Sequence, residues 1–338
     1  MTAPVRIAVI GGAFGRSAIA PAYTRHRACA VVDVISSRDP AEVAAACRRP
    51  DVDLVSVHAA PHQHRAIVDR VLDAGKHVVC DKPFGASLAD AEHLAARAAT
   101  HPGLAAITFE FRYQPWRRGV RELLASGALG ELESVDWLEL HTAWRTRTGG
   151  WQLSRADGGG WLGAMAAHII DTLAWWTRGN ADPSLDVLAA GLDGDPAAGV
   201  AERAGELVLR LGAARASVVT RGASSFTSGP RVVVAGSRGA VEAADTLTLH
   251  GVEWPDGVTQ PSAGSTFPDL LDAWCDDVVH AVTDGPRPDL ATFADGLAWA
   301  RVRHAALGLV ASRPANRPCE RDDPRPSGPA AAQPGSLS

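Results

Sequence analysis

Lysine is almost absent from this chain. Of its 33 Lys+Arg residues only two are lysine, Lys76 and Lys82, and the rest are arginine. Arginine holds its proton too tightly to trade it near neutral pH, so a lysine kept in such a chain is a candidate for proton transfer. Lys76 follows Ala74-Gly75 at the end of a helical stretch, where a cation suits the helix C-terminus. Lys82 has no such explanation. Cysteines are few and scattered: Cys29, Cys47, Cys80, Cys275 and Cys319, with no CxxC or Cys/His spacing. That excludes a zinc-site pattern and fits reduced thiols in a cytosol. No uninterrupted apolar run is long enough to cross a bilayer, and no charged-then-apolar leader precedes the first strand, so no membrane association and a cytoplasmic location are expected. There is no basic excess either. A net charge of −5 gives no field for sequence-independent nucleic-acid binding.

A chain of 338 residues that is 46% hydrophobic can bury a large core and predicts two domains. The first half alternates strands and helices. Ile7-Ala8-Val9-Ile10 is a continuous apolar run, as in a parallel strand buried on both faces. Gly11-Gly12-Ala13-Phe14-Gly15 follows, then a helix from Arg16 to about His26. Strand, glycine turn and helix is the context that binds a dinucleotide pyrophosphate at a helix N-terminus, or else a plain tight turn. Ala13 stands where a second glycine belongs, and its methyl group crowds that approach. The strand Ala30–Ile35 ends in Ser36-Ser37-Arg38. Hydroxyls and an arginine there suit a ribose 2′-phosphate, where a carboxylate would suit a free ribose; a solvated turn is the alternative. A helix capped by Asp39 with Pro40 in its first turn, a strand 53–57, a helix 65–74, the strand Val78–Cys80, a helix 88–99 and a strand 105–109 complete a βαβ series. The Val78–Cys80 strand runs into Asp81-Lys82-Pro83.

After Arg112 the pattern changes. A helix from Trp116 to Ser126 precedes long alternating runs over 133–144, 206–221, 231–235 and 241–249, the signature of a large antiparallel sheet. Between the first two runs, Gly158-Gly159-Gly160-Trp161 leads to His168 and Asp171 at the start of a helix through Trp176. Three residues apart, His168 and Asp171 can share a helix face, with Asp171 holding the imidazole tautomer. A histidine at a helix start can also be purely structural. Two helices, 270–282 and 292–312, close the ordered part. The expected division is 1–112, 113–313 and a disordered Pro/Ala/Gly/Ser tail at 314–338.

These motifs together resemble the Gfo/Idh/MocA family of NAD(P)-dependent oxidoreductases. The resemblance is carried by the Gly11 turn, Ala60-Pro61-His62-Gln63-His64, and Ala74-Gly75-Lys76-His77-Val78-Val79-Cys80-Asp81-Lys82-Pro83. It continues in Phe111-Arg112-Tyr113-Gln114-Pro115, Gly127-Ala128-Leu129-Gly130-Glu131, and the triple glycine with His168 and Asp171. It implies a Rossmann-type domain plus an α+β domain with an open, mostly antiparallel sheet that joins homodimers or homotetramers. It implies Lys82 as acid/base on a substrate hydroxyl or carbonyl, with His168 and Asp171 beside it. Cofactor contacts are expected from Gly11, Gly12, Ala13, Phe14, Gly15, Ser37, Arg38, His58, Ala59, Pro61, His64, Asp81 and Lys82. Substrate contacts are expected from Arg112, Tyr113, Trp161 and Ala164. NADP(H) is expected over NAD(H), which remains possible. The expected reaction is hydride transfer on a sugar-like, cyclitol or related small molecule. A cofactor-retaining lyase, epimerase or glycosidase-like enzyme, or a regulatory protein without strong dinucleotide binding, are the alternatives. The chain departs from the family at Ala164, where a carboxylate is frequent four residues before the histidine.

Overall fold

Five strands, β1 (Val5–Gly11), β2 (Cys29–Ile35), β3 (Leu54–His58), β4 (His77–Asp81) and β5 (Ala105–Thr108), pair in parallel in the order β2-β1-β3-β4-β5. The computed structural model describes residues 3–312, apart from 143, 145–147, 179–183, 195–198, 223, 245, 259 and 262–263. The tail expected at 314–338 lies outside these residues. Strands β1 and β3 are neighbours whose connections leave in opposite directions. Such a switch point opens a crevice beyond the carboxyl ends of the strands.

The helices of this layer follow their start signals. A π-type turn, Gly15–Ile19, runs into α1 (Ala20–Arg25). Helix α2 (Pro40–Arg48) is capped by the Asp39 side chain, which accepts from the N–H groups of Ala41 and Glu42. Helix α3 (Pro61–Asp73) begins four residues before the expected start at Arg65, because Pro61 supplies the preset φ of a first helical residue. Helix α4 (Leu88–Ala99) is capped by Ser87.

The second half holds α5 (Pro115–Ala125), β6 (Leu132–Leu140), α6 (Trp161–Ala164), α7 (Ala166–Trp176), β7 (Leu185–Leu192), β8 (Ala204–Leu211), β9 (Ala214–Arg221), β10 (Ser228–Gly236), β11 (Gly239–Ala243) and β12 (Leu247–His250). The seven strands form one sheet in the order β12-β11-β10-β6-β9-β8-β7, in which only the β6–β9 pair is parallel. The alternating run 206–221 is a hairpin rather than one strand. Leu211 pairs with Ala214, and the chain reverses at Gly212 with φ +61°. The two-residue turn shifts the buried positions from Leu207, Leu209 and Leu211 to Ala214, Ala216 and Val218, a change of parity that marks the reversal within an otherwise alternating run. The run 241–249 divides likewise into β11 and β12. Strand β7 was not expected; its Leu-Ala-Ala-Gly-Leu end is poor in β-branched residues.

Helices α8 (Phe267–Thr283) and α9 (Phe293–Ala311) return to the parallel layer. Arg25 of α1 pairs with Asp272 at 2.5 Å, and the Tyr23 and Trp274 rings lie 5.6 Å apart. Gly296 of α9 lies against the Phe84 ring so closely that a Cβ would come within 2.5 Å of it. This packing fixes the segment after Lys82 against the last helix of the chain. Among the described residues no helix is long and apolar enough to cross a membrane.

Candidate active site

A cleft of about 720 Å³ lies at the switch point beyond β1 and β3. Gly12, Ala13, Phe14, Ser37, Arg38, His58, Ala59, Asp81 and Lys82 line it, together with Gln63, Glu110 and Trp151. Its glycines have separate reasons. A Cβ on Gly11 would stand 2.3 Å from the His58 carbonyl oxygen, so only glycine lets β1 end beside β3. Gly15 is less confined, a Cβ meeting the His58 side chain at 3.1 Å, whereas Gly12 has open space where a Cβ would go. The turn therefore keeps its backbone accessible from the cleft, and Ala13 narrows the entrance without closing it. Ser37 is tied to Gln63 by its hydroxyl and its carbonyl, 3.1 and 3.2 Å, while Arg38 lines the rim. These groups fit an elongated dinucleotide: small residues at the turn, a polar rim at one end and Lys82 at the other.

Four expected cofactor residues do not line the cleft: Gly11 and Gly15, which pack against His58, and His64 and Pro61. The imidazole of His64 is buried between the carbonyl oxygens of Ala59 and Pro83, at 2.9 and 3.1 Å, and burial pulls its pKa down. Pro61 is buried at the start of α3 and lies against Gly158. Both shape the cleft wall without lining the cleft.

At the inner end, Asp81 accepts from the backbone N–H of Lys82 at 2.8 Å and stands 3.4 Å from His58 Nδ1. His58 continues through Ser56, 2.8 Å away, to the buried Tyr23 hydroxyl. Lys82 Nζ donates to the Ala164 carbonyl oxygen at 3.1 Å, linking the end of β4 to α6. A second cavity of about 270 Å³ opens on the far side of Lys82. Lys82 and Glu110 line both spaces. The chamber is walled by Phe111, Met165, Ile169 and Phe267, by Ala164 and His168, and by Arg117, Glu139, His141 and Thr220.

His168 is buried with its ring stacked on Phe111, centroids 4.1 Å apart. Burial first, then the nearby Lys82 and Arg117 cations, hold its pKa well below the usual histidine value, so the ring is neutral. Its Nδ1 has no hydrogen-bond partner among the described residues. Arg117 anchors the helix that carries it, donating to the His168 carbonyl oxygen at 3.2 Å and to Thr172 Oγ1. The guanidinium carbon lies 4.8 Å from the ring centroids of both Trp116 and Trp137. Burial lowers the Arg117 pKa to about 10, which leaves it charged at neutral pH.

Asp171 does not orient His168. Both of its oxygens are taken by Arg112, at 2.8 and 2.5 Å, in a fully buried bidentate pair. Arg112 is correspondingly absent from the chamber and also faces Asp295 at 3.3 Å. Tyr113 is buried, and its hydroxyl donates to Asp277. Trp161 packs so tightly on Gly205 that a Cβ there would meet its ring at 2.2 Å. Of the four expected substrate residues, only Ala164 lines the chamber. Sequence reasoning missed Glu110, Arg117, Glu139 and His141. Glu110 alone carried a signal, an acid between two phenylalanines at the end of a buried strand.

Residues 5–109 match the family model described as an oxidoreductase family with an NAD-binding Rossmann fold, and residues 118–242 match the GFO/IDH/MocA C-terminal domain. An uncharacterized oxidoreductase of Synechocystis sp. is 32% identical over 187 residues, 50% of each chain. The 1,5-anhydro-D-fructose reductase of Ensifer adhaerens is 30% identical over 126 residues, 37% of each. The chain thus spans half or less of the length of these curated relatives. In fold it is similar to a levoglucosan dehydrogenase solved with NADH, with a TM-score of 0.77 at 20% identity over 91% of this chain and 97% of that one. The two adjoining matches cover both layers in order, and the chain belongs to the Gfo/Idh/MocA family of NAD-binding oxidoreductases.

Proposed function

We propose that this chain is an NAD(P)-dependent oxidoreductase acting on a hydroxyl or carbonyl carbon of a sugar-like, cyclitol or related small molecule. The single observation that carries the reading is the position of Lys82, on the wall of both the cleft and the chamber. When bound, the nicotinamide supplies or accepts the hydride. Lys82 moves the proton at the substrate oxygen, as a neutral amine in oxidation and as an ammonium in reduction. Its bond to Ala164 holds Nζ in place while leaving two of its positions for the chamber. His168, neutral and on the chamber wall with Nε2 toward Glu110, hydrogen-bonds the same oxygen.

NADP(H) is the preferred cofactor in this reading, because the Ser37-Arg38 rim replaces a ribose-binding carboxylate with a phosphate-binding guanidinium. The chamber also bears on the substrate. It is smaller than the roughly 300–1,000 Å³ of most ligand pockets. Ala164 presents only a methyl group, beside Phe111 and Met165. A single ring less hydroxylated than free glucose or inositol suits it, and those two should be poor substrates. The relatives named for levoglucosan and 1,5-anhydro-D-fructose point to the same substrate class. A homodimer or homotetramer contact on the open sheet is part of the proposal, supported by the exposed Leu138, Leu188 and Val233.

The test is a turnover panel of glucose, myo-inositol, levoglucosan, 1,5-anhydro-D-fructose and aryl glycosides with both cofactors. It is run on wild type, Lys82→Arg and His168→Ala. Turnover of an anhydro-sugar that is lost in Lys82→Arg is expected. Wild-type rates in that variant would remove Lys82 from the mechanism, and efficient oxidation of inositol would refute the chamber argument.

A further inference from the structure

Glu110 sits where cleft and chamber meet, and the protein offers it no adequate partner. Its residue is only 3% exposed, and Oε2 has no hydrogen-bond partner among the described residues. Oε1 stands 3.8 Å from His168 Nε2, too far for a hydrogen bond. A buried carboxylate oxygen left unpaired is destabilising, so such a group calls for something outside the chain to complete it.

The other acceptors around the junction are engaged. Glu139 lies 2.9 Å from His141 and accepts from Trp137 Nε1 at 3.0 Å. The Ala164 carbonyl takes Lys82, and Asp81, which accepts from the Lys82 N–H, lines the cleft and not the chamber. The Thr220 hydroxyl is unpartnered but neutral. Of the two carboxylates that line the chamber, Glu110 and Glu139, Glu110 is thus the one with an unpartnered oxygen, Oε2, among the described residues.

We propose that Glu110 is a substrate-binding carboxylate that accepts a hydrogen bond from the hydroxyl next to the reacting carbon, making the preferred substrate a vicinal diol or its α-hydroxy carbonyl counterpart. One oxygen of the pair faces Lys82 and His168, and its neighbour faces Glu110. The inference rests on the reading of Lys82 as acid/base and names the substrate feature that site selects. The charged and titratable groups around Glu110 are Lys82 and Asp81 from the end of β4, His168 from α7 and Arg117 from α5. Glu139 of β6 and His141, just after that strand, lie across the chamber. Burial raises the Glu110 pKa to about 7, with Lys82 pulling it down and Asp81 pushing it further up. The ionised form is the stronger acceptor, so diol recognition strengthens as pH rises through neutrality.

The probes are trans-1,2-cyclohexanediol and cyclohexanol, oxidised by the full chain with NADP⁺. Wild type is expected to prefer the diol at least tenfold in kcat/KM, with the preference rising through a group that titrates near 7. In Glu110→Gln the preference and that titration should vanish, chiefly through KM, and Glu110→Asp should restore part of both. An unchanged diol preference in Glu110→Gln overturns the proposal. So does a variant that loses only thermal stability while keeping the wild-type pH profile. A separate arm needs no turnover. The ¹³C carboxyl signal assigned to Glu110 by its loss in Glu110→Gln should shift on adding the diol to the NADPH complex, and not on adding cyclohexanol. No shift with the diol also overturns the proposal. Failure of the Lys82 reading looks different: Lys82→Arg would turn over both alcohols normally while the Glu110-dependent preference persisted.

Discussion

Lys82 Nζ donates to the backbone carbonyl of Ala164, 3.1 Å away and 82 positions along the chain. The contact joins the last residues of a parallel strand to the first short helix after the triple glycine. It aims the amine into the space between the two layers. Arginine at position 82 would keep the charge but could neither occupy that point nor release a proton. Lys82→Arg is expected to retain cofactor binding and lose ~10²–10⁴-fold in turnover, the usual effect of removing a general acid/base. Steady-state kinetics paired with a fluorescence titration of NADPH measures both.

Arg38 on the cleft rim makes a separate prediction. A charge-assisted contact to a 2′-phosphate is worth ~1.5–3 kcal/mol, about one to two decades in affinity. Arg38→Ala should weaken NADPH binding by that amount and leave NADH nearly untouched. Calorimetric titration with both cofactors checks it; wild-type protein that binds NADH as tightly as NADPH would end the argument.

The Arg112–Asp171 pair predicts stability rather than catalysis. Removing one partner of a buried ion pair leaves the other charge uncompensated, at ~3–5 kcal/mol. Asp295 still faces the Arg112 guanidinium at 3.3 Å in Asp171→Asn, so the free energy of unfolding in urea should fall by less than that full amount, while folded molecules keep their turnover within a few fold. Lost activity at unchanged stability would instead return Asp171 to the reaction.

Glu110 and His168 give stability opposite pH dependences. The Glu110 pKa is raised from 4.5 to about 7 on folding, so the folded state binds the extra proton between those values. Its contribution is present below about pH 4.5 and is lost as pH rises through 7. At 1.36 kcal/mol per pKa unit the loss is on the order of 3 kcal/mol. For His168 the folded pKa is depressed, so the unfolded chain binds the extra proton. Stability from that group is present above about pH 6.5 and falls as pH drops. Glu110→Gln should therefore be more stable than wild type at pH 8 and closer to it at pH 5. Thermal unfolding at the two values reads the difference, and a variant less stable at pH 8 would contradict it.

The sequence by itself determined the order of the two layers, the strands of the parallel layer and the place of Lys82 just after the fourth of them. These are local properties: apolar runs, proline and glycine signals, caps, and one lysine retained among arginines. Asp39 as cap and the helix at 88–99 needed no knowledge of the rest of the chain. Tertiary structure decided which polar side chains face each other. Asp171 was legible as a partner for His168 from helical spacing, yet a guanidinium 59 residues earlier binds both of its oxygens. Trp161 was legible as an aromatic near the site, yet Gly205, on a strand of the other sheet, gives it a place in the core. Glu110, Arg117, Glu139 and His141 meet only because a turn after the parallel sheet, a helix and a strand of the second sheet converge on one chamber. Burial then sets their charge states. Desolvation depends on everything packed around a group, and no short stretch of sequence contains that information.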